Sequence, residues 1–157
     1  MPQFSGEFEC TVDSKQRFLF PAAFKKMLPQ DRPVTFILNR GQEKCLSLFI
    51  KEEWDAILAR KFDGLDYDED ANVREYQRAF LNGATEVEFD SAGRLSLPKI
   101  LIPHAKIVKD IVMVGARDRI EIWDAEEHRM LRDNITQERY NELGKKFKQA
   151  KDEQNKS

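Results

Sequence analysis

The sequence predicts an α+β protein made of two tandem copies of one small β-hairpin module, with helices between and after them. Three observations predict it. VDSKQRFLFP at 12–21 is echoed by FDSAGRLSLP at 89–98: Asp13 matches Asp90, Ser14 matches Ser91, Arg17 matches Arg94 and Pro21 matches Pro98, each pair 77 positions apart, while Phe18 and Phe20 answer to Leu95 and Leu97. The blocks that follow also correspond, VTFILNR (34–40) with IVMVGAR (111–117) and LSLF (46–49) with IEIW (120–123). The intervening and C-terminal stretches carry apolar residues at helical spacing.

Taken in order, each half reads as a strand (about 7–13 in the first), a tight turn, a second strand (about 17–20), a short helix and a hairpin of two more strands. Pro21 and Pro98 are expected to open the two short helices, because a first-turn proline lacks only an N–H that would have no partner there; Pro29 then stops the first helix. Trp54, Ile57, Leu58 and Phe62 stripe one helix, and Val73, Tyr76 and Phe80 a second, closed by Gly83 as its C-cap. The acidic run Asp63 to Asp70 reads as the solvated bend between them. Asp124 with Glu127 makes a capping-box-like start to a third helix. Tyr140, Leu143 and Phe147 stripe a fourth, and from about Lys148 the polar chain is expected to fray.

With 157 residues, 41% hydrophobic and 34% charged, the chain has enough apolar mass for one modest core or two small ones sharing an interface. No run approaches the ~20 apolar residues of a membrane span, and the N-terminus shows no secretory pattern, so no membrane partner is expected. Cys10 and Cys45 lie among apolar neighbours and fall short of a disulfide framework, which suits a reducing cytoplasm. The net charge of −2 is not that of a strongly basic nucleic-acid binder, yet its distribution is uneven: +2 over 1–50, −7 over 51–90, +3 over 91–123 and 0 over 124–157. Two mildly basic blocks therefore flank an acidic connector.

The spacing DxxxR has its own chemistry. An aspartate at a strand end can accept N–H bonds inside the following turn and brace the arginine four residues on, so that the guanidinium is aimed. An arginine so held offers parallel donors that fit a phosphate or the O6/N7 edge of guanine, and a two-stranded ribbon fits the major groove. The plainer reading is a structural Asp–Arg pair that only closes the turn, with Lys15 a solvated surface charge. Trp54 and Trp123 read as core or interface anchors. His104 and His128 are the only histidines and have no ligand-spaced partners, and no GxSxG, GxxxxGK[ST], HExxH or CxxC occurs. No enzyme, metal or cofactor is expected.

From Phe4 and Gly6 through DSKQR, the 52–62 helix, FLNGATEVEFDSAGRLSLP and VMVGARDRIEIW, the sequence resembles the MraZ family of the AbrB-type swapped-hairpin class. That resemblance implies two AbrB-like DNA-binding modules at 7–54 and 83–126 forming a pseudo-symmetric small β-barrel, connecting helices at 55–82, and C-terminal helices with a flexible tail at 127–157. It implies a ring-shaped homo-oligomer, cytoplasmic and nucleoid-associated, that binds repeated short sites in double-stranded DNA upstream of the division and cell-wall gene cluster and represses it. Carried over by position, Lys15, Arg17 and Arg94 would face DNA, while Asp13, Asp90 and Gly93 organise the turns.

Two departures from the family pattern bear on the turns. Gln16 stands where the first copy usually has glycine, and Ala92 where the second would carry lysine. If that glycine position needs positive φ, Gln16 is strained. These departures and the acidic pI of 5.8 motivate the alternative of an assembly module that keeps the ring and has lost DNA binding; a small-ligand enzyme ranks below it. One hairpin with a few phosphate contacts binds at only ~10⁻⁴ to 10⁻⁶ M, whereas a ring of hairpins on repeated sites gains roughly 10²–10⁴ in avidity.

Overall fold

The computed structural model describes residues 3–156. Alternating EFECT forms β1 (Glu7–Thr11), and the first DxxxR turn returns into β2 (Arg17–Leu19). After α1 (Ala22–Lys25), the apolar blocks form β3 (Phe36–Arg40) and β4 (Leu46–Ile50). Two helices follow, α2 (Lys51–Phe62) and α3 (Ala71–Leu81). The second copy then runs β5 (Thr85–Val87), β6 (Arg94–Ser96), α4 (Ile102–Ala105), β7 (Asp110–Gly115) and β8 (Ile120–Asp124), before α5 (Ala125–Asp133) and α6 (Gln137–Asn155). The chain divides into two compact units, Met1–Ala125 and Glu126–Ser157.

The first unit is α+β, and its sheet order exposes the duplication. Six strands run β1-β7-β8-β4-β3-β5, while β2 pairs β6 in a separate two-stranded ribbon. Exchanging the repeats reverses the sheet order onto itself, which is the signature of a pseudo-twofold axis. In the ribbon Arg17 faces Ser96, Phe18 faces Leu95 and Leu19 faces Arg94. The axis therefore passes through the Phe18–Leu95 pair, and again through Ser47–Glu121 where β4 meets β8. The first strand of each half pairs in the other half's territory, β1 with β7 and β5 with β3, so the hairpins are swapped within one chain.

Period-two alternation sends one set of side chains to each face of the sheet. Phe36, Leu38, Leu46, Leu48, Ile111, Met113, Ile120 and Ile122 point into the main core, where they meet Phe18 and Leu95 of the ribbon. Each large apolar side chain so buried contributes about 1.5–3 kcal/mol. Ile37 and Phe49, on the opposite face, are covered by Trp54 and Ile57 of α2, and Trp54 stacks on Phe80 of α3 at 5.5 Å and 5°. Glu52 and Glu53 in the first turn of α2, with Arg60 and Lys61 in its last, complement the helix dipole. The Asp70 carboxylate caps α3 by accepting from the N–H groups of Asn72 and Val73.

Several expectations change in detail. Both hairpin strands end earlier, at Thr11 and Leu19. Pro21 does precede α1, but Pro98 is followed by a turn and α4 begins only at Ile102 with a proline in its own first turn. Pro103 is thus the residue that uses the helix-opening tolerance in the second half. The match of 34–40 with 111–117 slips by two: Phe8 faces Met113 and its counterpart Thr85 faces Leu38, so Leu38, not Phe36, is the equivalent of Met113. The second copy is that much shorter between turn and strand. Gly83 takes φ 89° one residue beyond the C-cap of α3, which is Asn82.

In the second unit the predicted fraying at Lys148 is not found, for α6 continues to Asn155. Lys, Gln, Ala and Glu are strong helix formers, and Glu142 pairs with both Arg139 (3.0 Å) and Lys146 (3.1 Å), so polarity there belongs to a solvated helix. Among the described residues no helix is long and apolar enough to cross a membrane.

Candidate nucleic-acid interface

The turn between β1 and β2 is built around one carboxylate. Asp13 Oδ1 accepts from the backbone N–H groups of Lys15 and Arg17, both at 2.9 Å, and Oδ2 accepts from Arg17 Nε at 2.9 Å. The second turn repeats this atom for atom: Asp90 Oδ1 accepts from Ala92 and Arg94 N–H, and Oδ2 from Arg94 Nε, all at 2.9 Å. Chain N–H groups also donate across each turn, Asp13 to the Arg17 carbonyl at 2.8 Å and Asp90 to that of Arg94 at 2.9 Å. The lone pairs of one carboxylate thus fix both the backbone and the guanidinium, as the DxxxR spacing requires.

These donors set the electrostatics. The Arg17 backbone N–H first, then the guanidinium and the Lys15 N–H, hold the Asp13 carboxyl below its ordinary 3.8 against an opposing partial desolvation. Asp90 is lowered likewise, chiefly by the Arg94 backbone N–H and then by that of Ala92. Both groups are therefore charged at neutral pH.

Gln16 and Gly93 occupy the same left-handed position, at φ 63° and 78°. Glycine adopts this conformation freely and glutamine does not, so the first turn keeps its shape at a cost of about 1–2 kcal/mol. The geometry of the loop is retained despite the substitution.

The two turns are brought together rather than left at opposite ends of the molecule. Gln16 and Gly93 carbonyls accept from Leu97 N–H (2.8 Å) and Phe20 N–H (3.3 Å), so each turn is tied to the other repeat's strand exit. Arg94 Nη1 lies 3.9 Å from Asp13 Oδ2, linking the second arginine to the first carboxylate. The Arg17 and Arg94 side chains keep 28% and 33% of their surface, which is neither tucked into the core nor loose in solvent. Lys15 is exposed beside them.

One neighbour has no counterpart in the sequence-based expectations. Lys25 of α1 sits over the Phe89 ring, 5.5 Å from its centroid, with Nζ 3.9 Å from where a Cβ on Gly93 would be. It belongs to the first repeat and stands at the turn of the second. Only the swapped pairing brings it there, and no local pattern in the sequence signals that. With Lys15, Arg17 and Arg94 it makes four cations here, beside the engaged carboxylates of Asp13 and Asp90 and that of Glu9, which lines the same hollow as Lys25 and Gly93. Leu19, on the same ribbon, is 62% exposed.

The surface offers two guanidinium groups held in place by carboxylates, with Lys15 and Lys25 beside them. Among the described residues no group of His, Cys, Asp and Glu side chains is placed to hold a metal. The sequence profile of the family described as "MraZ protein, putative antitoxin-like" matches residues 3–74 and again 80–151. A protein of Cytophaga hutchinsonii named transcriptional regulator MraZ is 45% identical over 121 residues, covering 76% of this chain and 78% of its own. Proteins of the same name from Desulforamulus reducens and Natranaerobius thermophilus are 41% and 38% identical over 124 and 123 residues, covering 79% and 78% of this chain and 83% and 82% of theirs. With two profile matches that cover most of its length, each holding one DxxxR turn, the chain belongs to the MraZ family.

Proposed function

We propose that this chain is a transcriptional regulator that binds double-stranded DNA through the paired DxxxR turns. In this reading Arg17 and Arg94 reach phosphate or guanine edges, Lys15 and Lys25 add phosphate contacts, and Asp13, Asp90 and Gly93 hold the turns in shape. The observation that carries it is the joining of the two turns by the pseudo-twofold axis, which puts both braced arginines on one ribbon. A two-stranded ribbon is narrow enough to enter the major groove, and an aligned arginine fork is worth about 1–3 kcal/mol of base discrimination there.

One chain offers too few cations for tight binding at physiological salt. We therefore read the working form as a ring-shaped homo-oligomer that engages repeated short sites, gains avidity from their number, and represses the division and cell-wall cluster from its upstream region. Its place would be the cytoplasm, on the nucleoid. The alternative of an assembly module without DNA binding rests on Gln16, Ala92 and the acidic pI, and the matching left-handed geometry at Gln16 and Gly93 removes the first of these motives.

Native mass measurement of the full chain, with and without the duplex upstream of its own gene, tests the reading. Expected is a closed oligomer that takes up the duplex, more strongly as repeats are added. An oligomer that takes up no DNA at low salt would instead make the chain an assembly module.

A further inference from the structure

The two turns differ at three equivalent positions, and all three differences concern one positive charge. The first turn carries Lys15 where the second has Ala92. At the same offset of 77, Phe89 before the second turn answers to Val12, and Lys25 after the first answers to Ile102. The correspondence still holds at this point, because the residues just before them, Phe24 and Leu101, are both fully buried. Val12 is buried and Ile102 packs against the same core, so neither offers a ring or a charge to the first turn.

The swapped pairing sets Lys25 at the second turn. Phe20 N–H donates to the Gly93 carbonyl at 3.3 Å and α1 starts two residues on, which carries the helix of the first repeat to the turn of the second. Lys25 Nζ lies 5.5 Å from the ring centroid of Phe89, the residue before Asp90. The ring itself is fixed, for it packs edge-on against Phe20 and Phe36, with centroids 5.3 Å away in each case. A cation over a ring is attracted by the ring's quadrupole, so Phe89 aims an ammonium much as Asp90 aims a guanidinium. Lys25, Ala92 and Gly93 line one open hollow. Glu9 lines it too, but exposed Lys25 has no ion pair among the described residues, and its charge is left for a ligand.

Given the DNA-binding reading, on which this rests, we infer that Lys25, aimed by Phe89, is the phosphate-binding lysine of the second turn. It supplies from the other repeat's helix the charge that Lys15 supplies within the first turn, so the lysine absent at Ala92 has been relocated. Each chain then grips DNA with two unlike lysines, one on a turn and one on a helix. An ammonium is a compact point charge that suits a phosphate oxygen. Such contacts fix the register of the ribbon on the duplex and leave the arginines for base edges. Phe89 is a positioning residue and acts on DNA only through Lys25.

The test measures affinity of the full chain for the duplex upstream of its own gene across a salt series, with melting temperature and oligomer mass marking each variant as folded. Lys25→Met keeps a stem over Phe89; it should weaken binding about fivefold and make the slope of log K against log salt shallower by about one. Lys61→Met, an equal loss of charge on α2 across the sheet, should change neither. Adding Ala92→Lys to Lys25→Met should recover the slope and bring affinity back to within about twofold of the parent. Phe89→Leu should weaken binding about threefold in the parent and not at all in Lys25→Met, a coupling that a ring with only a packing role does not show. A parent that binds no DNA at low salt would overturn the DNA-binding reading and the Lys25 assignment with it. A parent that binds, with affinity and slope unchanged in Lys25→Met, equally reduced in Lys61→Met, or not recovered by Ala92→Lys, would overturn the assignment alone. Equal losses from Phe89→Leu in both backgrounds would overturn the positioning role.

Discussion

Arg94 Nη1 lies 3.9 Å from Asp13 Oδ2, a contact between equivalent turns of two repeats that are 77 positions apart in the chain. The two Asp–Arg units are thus not independent hairpin tips. Each carboxylate braces its own arginine at 2.9 Å, and the first also faces the other repeat's arginine.

Gln16 and Gly93 make opposite predictions from one backbone shape. Gln16→Gly removes the left-handed penalty at φ 63° and should stabilise the protein by up to about 1 kcal/mol. Gly93→Ala introduces the penalty at φ 78° and should destabilise it by about 1–2 kcal/mol. Urea denaturation of the two variants against the parent checks both signs.

Acid should loosen the turns. Asp13 and Asp90 titrate below 3.8 in the folded chain, so as the pH drops the unfolded chain takes up their protons first. Their stabilisation is complete above about pH 5 and is lost as the pH falls through the folded values. Asp13→Asn with Asp90→Asn should be less stable at pH 7 and show a flatter decline between pH 5 and 2, followed by circular dichroism.

The two thiols should react at different rates. Burial, with Glu121 and Glu43 nearby, pushes the Cys45 thiol up to about 12, while Cys10 is only half-buried and raised less. Maleimide at pH 7.5 should label Cys10 first and Cys45 only in denaturant, as read by peptide mass spectrometry.

Much of the fold and of the site is legible in the residues. Asp and Arg four apart, twice, encode the turns, their carboxylate bracing and the pseudo-symmetry, because an Asx turn is a local affair written in adjacent positions. The apolar blocks encode β3, β4, β7 and β8 by the same locality. What stays hidden depends on pairing between distant segments. The exchange of β1 and β5 between halves is implied only by the family resemblance, and the approach of Lys25 to Gly93 that comes with it follows from long-range pairing that no window of sequence contains. Pro98 and Pro103 compete for one helix start, and propensity alone does not say which of them has a free turn ahead of it. Polarity beyond Lys148 suggests disorder, although the residues that supply it favour helix.

The salt dependence of DNA affinity decides whether the braced arginines touch DNA. Fluorescence anisotropy with the upstream duplex, from 50 to 300 mM salt, is compared for the parent, Arg17→Ala, Arg94→Ala and the double variant, with oligomer mass checked in each. Each substitution should weaken binding by about 1–3 kcal/mol per engaged site, lower the slope of log K against log salt by about one for each phosphate no longer neutralised, and leave the oligomer whole. Affinity and slope unchanged in the intact double variant would mean that the braced arginines close turns and do nothing more.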